Sequence, residues 1–255
     1  MERLFKAFYI LICFTVNTPF VSAGEIDNVI NIESESVFPI NYRPSPDSPI
    51  QGVAYDLVKA LMDESHLQYN MEVYPWSRAY NNALTTQNVM IYPIGRTVER
   101  EEKLNWIGKI VTMTYNIYCL NNSLSSASLS QAIIKEKIIG IPRNGLRATH
   151  LKNLNFKNLL LTNGNQHTHK LLVHGRIDCL VASKWGIDRL KNEYYIKEGT
   201  LIKYDQFNIP ETDIYIAISL KTNPKIVNKL KESYRTIVSN GTYISLIQPL
   251  IDTLK

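Results

Sequence analysis

The chain has 255 residues, of which 45% are hydrophobic and 20% charged, and its formal net charge is +5 at pH 7. This composition is typical of a globular protein, and the length allows one large domain or two small ones, each with a real core. The positive charges are scattered and form no basic stripe interleaved with aromatic residues, so nucleic acid is excluded as an expected partner.

The first 23 residues have the features of a secretory signal peptide. Arg3 and Lys6 make a basic start, residues 7–16 are almost uninterruptedly apolar, and residues 21–23 supply the small side chains that a signal peptidase reads. Cys13 lacks the small residues that precede a lipid-modified cysteine. We therefore predict cleavage after position 23, export to the periplasm and, since no later run approaches a membrane span, an unanchored protein.

After the signal, predicted strands alternate with predicted helices. The strands and the helices that follow them are expected, in order, at residues 29–32 and 52–66, at 69–74 and from 75, and at 90–94 and from 97. Ala54, Leu57, Val58 and Leu61 share one helical face, and Asp56 is a structural acid in that helix's first turn. Strand–helix units in succession predict a parallel sheet with right-handed crossovers.

A second α/β set follows a β-branched and aromatic stretch, residues 112–120, that we predict to be one long strand running between two domains. Residues 121–130 are rich in Ser and Asn and are expected to form a surface loop. Later strands are expected at residues 137–141, 158–162, 176–182, 200–207 and 213–219, and later helices at 147–154, 165–174, 185–195, 224–238 and 242–254.

Because the chain crosses twice between the two sets, we predict an α/β fold of two lobes joined by two hinge strands. Lobe 1 is expected to comprise residues 24–116 and 215–255, and lobe 2 residues 117–214. A ligand would lie in the cleft between them, contacted from both sides.

Two arginines, Arg96 and Arg100, stand where the third predicted strand ends and a helix begins. Ligands of open α/β sheets bind outside the carboxyl ends of strands, helix N-termini favour anions, and a guanidinium can grip a carboxylate through two hydrogen bonds. The pattern thus predicts a carboxylate clamp. The alternative is a set of surface ion pairs with the neighbouring acids, Glu99, Glu101 and Glu102.

Cys119 and Cys179 remain after the signal is removed. Either they form a disulfide in an oxidising compartment, or both are buried free thiols in strands, and we favour the second.

His167, His169 and His174 share a predicted helix but lack the i, i+4 spacing of helical metal sites, so we expect exposed histidines, no metal and no cofactor. Common hydrolase and nucleotide-binding signatures are absent.

The order of motifs resembles that of the family 3 extracellular solute-binding proteins, the periplasmic receptors of polar amino-acid ABC transporters. The matching segments are residues 38–42, 52–58, 75–79, 96–101, 106–110, 139–145, 175–178, 215–219 and 240–242. The resemblance covers essentially the whole chain after the signal. It implies the type II periplasmic-binding-protein fold, a small carboxylate ligand, a monomer, and an inner-membrane ABC permease as partner.

The resemblance also implies roles for individual residues. Arg100 closes the Thr-x-x-Arg turn and takes the position that binds the ligand's α-carboxylate. Arg96 is a supporting candidate. The other positions expected at the ligand are Pro93 and Gly95, which complete the carboxylate site, Phe38 or Tyr42, which covers the ligand, and Trp76 and Arg78 at the cleft.

Two positions depart from the family pattern. Leu146 stands where a Ser or Thr is usual, and Ser183 where amino-acid binders carry the Asp that holds the ligand's ammonium. A buried ammonium without a carboxylate is costly, so a zwitterionic amino acid is a less secure ligand. Three nearby cations either suit a second anionic group on the ligand or are simply solvated: Lys184, Arg143 and Arg147.

The sequence therefore predicts a non-catalytic periplasmic binding protein that closes over a small acid, an amino acid or a related organic acid. An exported sensor without a transporter is a variant of this hypothesis. An enzyme on the same scaffold, such as a dehydratase of cyclic dienoic acids, is the alternative, since fold does not determine function. That enzyme would need an acid or base in the cleft, and the sequence alone nominates none.

Overall fold

A computed structural model describes residues 29–45, 47–121, 130–143, 146–204, 206–207 and 209–252. The predicted signal peptide, residues 1–23, and most of the predicted loop 121–130 lie outside the described residues. Among the helices of the described part, none is both long and apolar enough to cross a membrane.

The strands form two five-stranded sheets. They are β1 Ile30–Ser34, β2 Tyr69–Val73, β3 Val89–Gly95, β4 Leu104–Met113, β5 Asn116–Leu120, β6 Ile139–Pro142, β7 Leu159–Thr162, β8 Cys179–Ala182, β9 Leu201–Tyr204 and β10 Thr212–Ser219. The first sheet has the order β2-β1-β3-β10-β4 and the second β7-β6-β8-β5-β9. The chain passes from the first sheet to the second between β4 and β5 and returns between β9 and β10. The predicted two-lobed arrangement with two crossings is confirmed.

Helices cover both sheets. They are α1 Val53–Ser65, α2 Trp76–Thr85, α3 Gln131–Glu136, α4 Leu146–Asn153, α5 Asn165–Val173, α6 Lys184–Glu193, α7 Pro224–Ser239 and α8 Thr242–Asp252, with a 3-10 helix at Val98–Lys103. Below, lobe 1 means the first sheet with α1, α2, α7, α8 and the 3-10 helix, and lobe 2 the second sheet with α3 to α6. Each sheet carries an apolar cluster on both faces, which explains why its central strands are almost continuously hydrophobic.

Helix α1 buries the predicted face of Ala54, Leu57, Val58 and Leu61, and Asp56 lies in its first turn as expected. Gly52 precedes this helix with φ +119°, and a Cβ there would lie 2.6 Å from the backbone of Ile40. This close approach explains the glycine in the motif, because no side chain fits between the two segments.

Two local predictions were wrong. A short 3-10 helix and then the strand β4 follow β3, where a helix was expected, because β4 pairs along its length with β10. Residues 112–120 are not one strand. They divide between β4 and β5, since these strands belong to different sheets and the chain must change direction at Thr114 and Tyr115.

The parallel pairing predicted for the first three strands is confirmed, but the sheet also contains antiparallel strands. Strands β1, β2 and β3 are parallel, but β10 runs antiparallel to both β3 and β4, and β5 runs antiparallel to β8 and β9. The returning strand enters the first sheet directly from lobe 2, with no helix to reverse its direction. Both sheets are therefore mixed.

The favoured interpretation of the cysteines was also wrong. Cys119 in β5 and Cys179 in β8 stand directly opposite each other in an antiparallel pair and form a disulfide. Both residues are buried, as expected, but the register brings the sulfur atoms into bonding contact. The bond lies inside lobe 2 and joins two central strands of its sheet.

Candidate functional site

A cavity of about 800 Å³ lies between the two lobes. Its wall includes the ends of β3 and β6 and the residues that directly follow β1, β2, β7 and β8: Gly95, Pro142, Glu35, Tyr74, Asn163 and Ser183. The carboxyl ends of the parallel strands of both sheets thus meet at one opening, the place where open α/β sheets bind ligands.

Arg100 lies in the lobe 1 wall of this cavity. It belongs to the short 3-10 helix after β3, and it is 8% exposed although Val98, two residues before it, is 93% exposed. Its Nη1 donates a hydrogen bond to the carbonyl oxygen of Gly95 at 3.1 Å. Burial lowers the pKa of the guanidinium from its ordinary value, yet an arginine remains a cation at neutral pH.

Two aromatic rings hold Arg100 in place. Trp76 and Tyr80 are one turn apart on α2, and their rings stack at a centroid distance of 5.4 Å. The Arg100 guanidinium lies 5.1 Å from the centroid of the Trp76 ring and 4.9 Å from that of Tyr80. The i, i+4 spacing makes this pairing possible, and the rings desolvate and orient the charge without neutralising it.

Arg96 follows the surface ion-pair alternative. Its Nε donates to a carboxylate oxygen of Glu101 at 2.8 Å, and a second nitrogen binds the other oxygen of the same carboxylate. Its side chain is 37% exposed, lies beside the rings of Trp106 and Tyr215, and does not line the cavity. Arg100 thus lies at the cavity, where a carboxylate clamp would be, whereas Arg96 lies at the surface in an ion pair.

The other predicted residues also divide into two groups. Pro93, Gly95, Phe38, Trp76 and Ser183 line the cavity. Tyr42 instead packs edge-on against Phe38 at 4.8 Å, and the exposed Arg78 lies 4.1 Å from the centroid of the Tyr74 ring, and neither reaches the cavity. Of the two candidates for covering a ligand, the structure thus brings only Phe38 to the cavity.

Glu35 is the cavity residue that sequence reasoning missed. It follows β1 directly and, among the described residues that line the cavity, it alone carries a carboxylate. Burial raises the pKa of this carboxyl to about 7, against the opposing effects of Arg147 and Arg100. The sequence did not single it out, because the strand was predicted to end at residue 32, and Glu33 and Ser34 lie between that end and Glu35.

Lobe 2 brings three arginines to the cavity, Arg143, Arg147 and Arg189. Arg147 lies 4.4 Å from the centroid of the Tyr115 ring at the crossing between the lobes. Arg189 lies 5.3 Å from the Phe38 ring of lobe 1, so this side chain spans the cleft. Of the three cations named from the sequence, Lys184 instead pairs with Asp188 at 2.9 Å and does not line the cavity.

Ser183 lines the cavity but its hydroxyl has a structural partner. The residue caps the N-terminus of α6, and its Oγ accepts the backbone N–H of Gly186 at 3.2 Å. The side chain is 7% exposed. It therefore cannot supply the charge that the aspartate expected at this position would give.

The expectation that all three histidines of α5 are exposed was wrong for His169. His167 and His174 are exposed, but His169 faces the lobe interior and the cavity and is 6% exposed. Burial lowers its pKa to about 4, so the imidazole is neutral at pH 7. Within the described ranges, no group of His, Cys, Asp and Glu side chains has an arrangement that could hold a metal ion.

The site as a whole suits a small anion. A pre-oriented guanidinium stands on one wall, aromatic and apolar side chains surround it, and further guanidinium groups stand on the opposite wall. A carboxylate bound to Arg100 would exchange water for charge-assisted hydrogen bonds.

Comparison of the fold with solved structures finds matches along most of the chain. A histidine kinase sensor domain with similarity to periplasmic binding proteins superposes with a TM-score of 0.74 at 14% identity, covering 87% of this chain and 95% of that one. The arginine-, lysine-, histidine-binding protein ArtJ of Geobacillus stearothermophilus gives 0.74 at 17% identity, covering 87% and 94%. The ancestral amino acid-binding protein AncCDT-1, a precursor of cyclohexadienyl dehydratase, gives 0.69 at 15%, covering 87% and 94%.

These similarities establish the fold, which is the type II periplasmic-binding-protein fold predicted from the motif order. No curated protein sequence matches the chain. The sequence model of the bacterial extracellular solute-binding proteins, family 3, matches residues 29–251, which includes both lobes and the cavity between them. The chain belongs to the family 3 bacterial extracellular solute-binding proteins.

Proposed function

We propose that this protein captures a small carboxylate-bearing ligand, an amino acid or a related organic acid, in the cavity between its lobes. The observation that carries the proposal is Arg100, a buried cation at the cavity wall that contacts the rings of both Trp76 and Tyr80. A guanidinium oriented in this way at a cavity wall can bind a ligand's carboxylate through charge-assisted hydrogen bonds.

The cellular setting forms part of the same proposal. Residues 1–23 direct export to the periplasm and are removed there, and the protein acts as a non-catalytic monomer. It delivers its ligand to an inner-membrane ABC permease. Residues 24–116 with 215–255, and residues 117–214, move as two bodies, and ligand contacts made only in the closed state drive closure. A receptor for a sensor kinase would use the same site and the same closure.

The test is a thermal-shift screen of residues 24–255 against amino acids, dicarboxylates and small peptides. A ligand at 100 times its Kd stabilises the folded state by about 2.7 kcal/mol, which raises the Tm of a chain of this size by about 5–10 °C. The matched variants are Arg100→Met, which should lose the shift, and Arg96→Met, which should keep it. A shift that survives in Arg100→Met would refute the proposal.

One observation favours an enzyme as the second candidate. Glu35 supplies the acid or base that the sequence did not nominate, with a pKa near neutrality and a place in the cavity wall. Mass spectrometry of each ligand after prolonged incubation separates the two functions. An unchanged ligand supports the binding protein, whereas a product that Glu35→Gln no longer forms would establish catalysis.

A further inference from the structure

The lobe 2 wall of the cavity offers a ligand positive and neutral groups. Among its described residues that line the cavity, the ionisable ones are Arg143, Arg147, Arg189, His167 and His169, and none is acidic. Ser183, at the position expected to hold an ammonium, already accepts a hydrogen bond from the backbone of its own helix. Lobe 2 can therefore bind an anion when the cleft closes. Its described residues at the cavity carry no negative charge that could bind a cation.

Among the lobe 2 arginines at the cavity, Arg147 is the best placed to bind an anion. It is half-buried, stacks on the Tyr115 ring, and donates a hydrogen bond to the carbonyl oxygen of Val181 at 3.5 Å. Within the described residues it forms no ion pair with a carboxylate, whereas Arg189 pairs with Glu193 at 3.3 Å. Arg143, by contrast, is exposed to solvent. Arg147 is thus not fully solvated, and the cavity acid that its charge acts on is Glu35.

Glu35 on lobe 1 lies in the electric field of both Arg147 and Arg100. Because burial opposes the two arginines and brings the pKa of the carboxyl to about 7, Glu35 is ionised only in part of the molecules at neutral pH. An anion that settled beside it would favour its protonated form, and a ligand ammonium would favour its ionised form. The direction of proton exchange on binding therefore reports the sign of the charge placed there.

We propose that the ligand carries two anionic groups, a carboxylate on Arg100 and a second anion on Arg147, and that Glu35 takes up a proton as the cleft closes. The proposal rests on the proposed function for Arg100 and adds the class of ligand. The second anion contacts lobe 2, so it supplies the contact that favours the closed state. A dicarboxylate and a phosphorylated monocarboxylate share this chemistry.

Other charged groups of the cavity do not account for this proton. Arg100, Arg143, Arg147 and Arg189 stay charged between pH 6 and 8. His169, neutral because its pKa is about 4, and Tyr115, whose pKa burial raises, do not change charge in that range. His167 on the same wall is an exposed imidazole, and His167→Asn removes its contribution from the measurement.

The first experiment measures wild-type residues 24–255 by calorimetry with succinate, 3-phosphoglycerate, butyrate and L-alanine as probes. In HEPES and Tris at pH 7 we expect one of the two dianions to bind at least tenfold more tightly than butyrate or alanine. After correction for the protons that the free ligand itself exchanges, we expect binding to take up about half a proton, and the affinity for the fully ionised ligand to fall as the pH rises from 6 to 8. The dianion that binds identifies the second anion as carboxylate or phosphate.

Variants then test the two residues separately. Arg147→Met should lower dianion affinity about tenfold, to the level of butyrate, and leave butyrate binding unchanged. Arg176→Met, an exposed arginine of lobe 2 away from the cavity, should change neither. Glu35→Gln should abolish the proton uptake and the fall in dianion affinity between pH 6 and 8.

Two outcomes would overturn the inference. One is a preference for a zwitterionic amino acid with release of protons, which would place an ammonium beside Glu35. That result leaves the proposed function intact, provided that Arg100→Met abolishes binding. The other is a dianion affinity that Arg147→Met and Arg176→Met leave equally unchanged. Absence of binding by any carboxylate would instead overturn the proposed function and, with it, this inference.

Discussion

The two walls of the cavity hold their positive charges in different ways. In lobe 1, Arg100 is buried, contacts two rings that stack on each other and donates a hydrogen bond to the backbone of the strand before it. In lobe 2, the arginines stand on helices or loops, and the contacts of Arg147 and Arg189 include rings outside lobe 2. Lobe 1 therefore holds Arg100, the proposed anchor for a ligand's carboxylate, in a fixed position. The contacts of the lobe 2 arginines, in contrast, depend on how far the cleft is closed.

The lobes also differ in what holds them together. Within the described residues, the disulfide joins β5 to β8 in lobe 2, while lobe 1 relies on a larger apolar cluster beneath α1, α7 and α8. Lobe 2 distributes its buried apolar residues between two smaller clusters on opposite faces of its sheet. The smaller core is thus supported covalently, while the rings that contact Arg100 pack against the second, smaller apolar cluster of lobe 1.

The largest effect should come from removing the disulfide. We expect Cys119→Ser with Cys179→Ser to lower the free energy of unfolding by about 4 kcal/mol, because the bond closes a segment with a sequence separation of 60 residues. Urea unfolding followed by circular dichroism measures the loss, and dithiothreitol added to the wild type should reproduce it. A loss below about 1 kcal/mol would mean that the core of lobe 2 is sufficient by itself.

The next effect concerns pH and His169. The folded state lowers its pKa from 6.5 to about 4, so between these values the unfolded chain binds the proton more readily. This group's contribution to stability is complete above pH 6.5 and is lost as the pH falls towards 4, by up to about 3 kcal/mol.

Urea unfolding at several pH values checks this expectation in His169→Leu and in the matched control His167→Asn. The loss of stability between pH 6.5 and 4 should shrink in His169→Leu and persist in His167→Asn, which replaces an exposed imidazole. An equal pH dependence in both variants would contradict the burial of His169 in the lobe 2 wall.

A smaller effect is expected from the rings that orient Arg100. Trp76→Leu keeps an apolar residue on α2 but removes one of the two ring contacts. A cation–π contact of this kind contributes about 1 kcal/mol, so carboxylate affinity should fall about fivefold to tenfold while the ligand-free Tm changes little. Calorimetric titration measures the affinity, and an unchanged Kd would show that the anchor does not depend on its aromatic setting.

The smallest effect is expected at Arg96. Its pair with Glu101 is exposed to solvent, and such pairs contribute about 0–1 kcal/mol to stability. Arg96→Gln should leave ligand affinity within about twofold of wild type. A loss of affinity as large as that of an Arg100 variant would mean that the two arginines act together, and would remove the distinction between surface pair and anchor.

Much of the architecture followed from local patterns. The apolar strands, the helical face of α1 and the break at Asn240 and Gly241 are encoded in residue spacing, so the sequence alone predicted two α/β lobes with two crossings. The boundary between β4 and β5 did not follow, because residues 112–120 have uniform strand propensity. Only pairing with different sheets divides them.

The site shows the same division. The motif order and the strand-to-helix turn selected Arg96 and Arg100 as candidates, and residue types alone could not separate them. Contact with the rings of Trp76 and Tyr80 holds Arg100 at the cavity, while Glu101 holds Arg96 at the surface. The disulfide and the cavity position of Glu35 likewise depend on neighbours that are distant in sequence. Sequence determined which chemistry the chain carries. Tertiary packing decided which of these charges are desolvated at the cavity. Desolvation depends on every segment that surrounds a group, and not only on the segment that carries it.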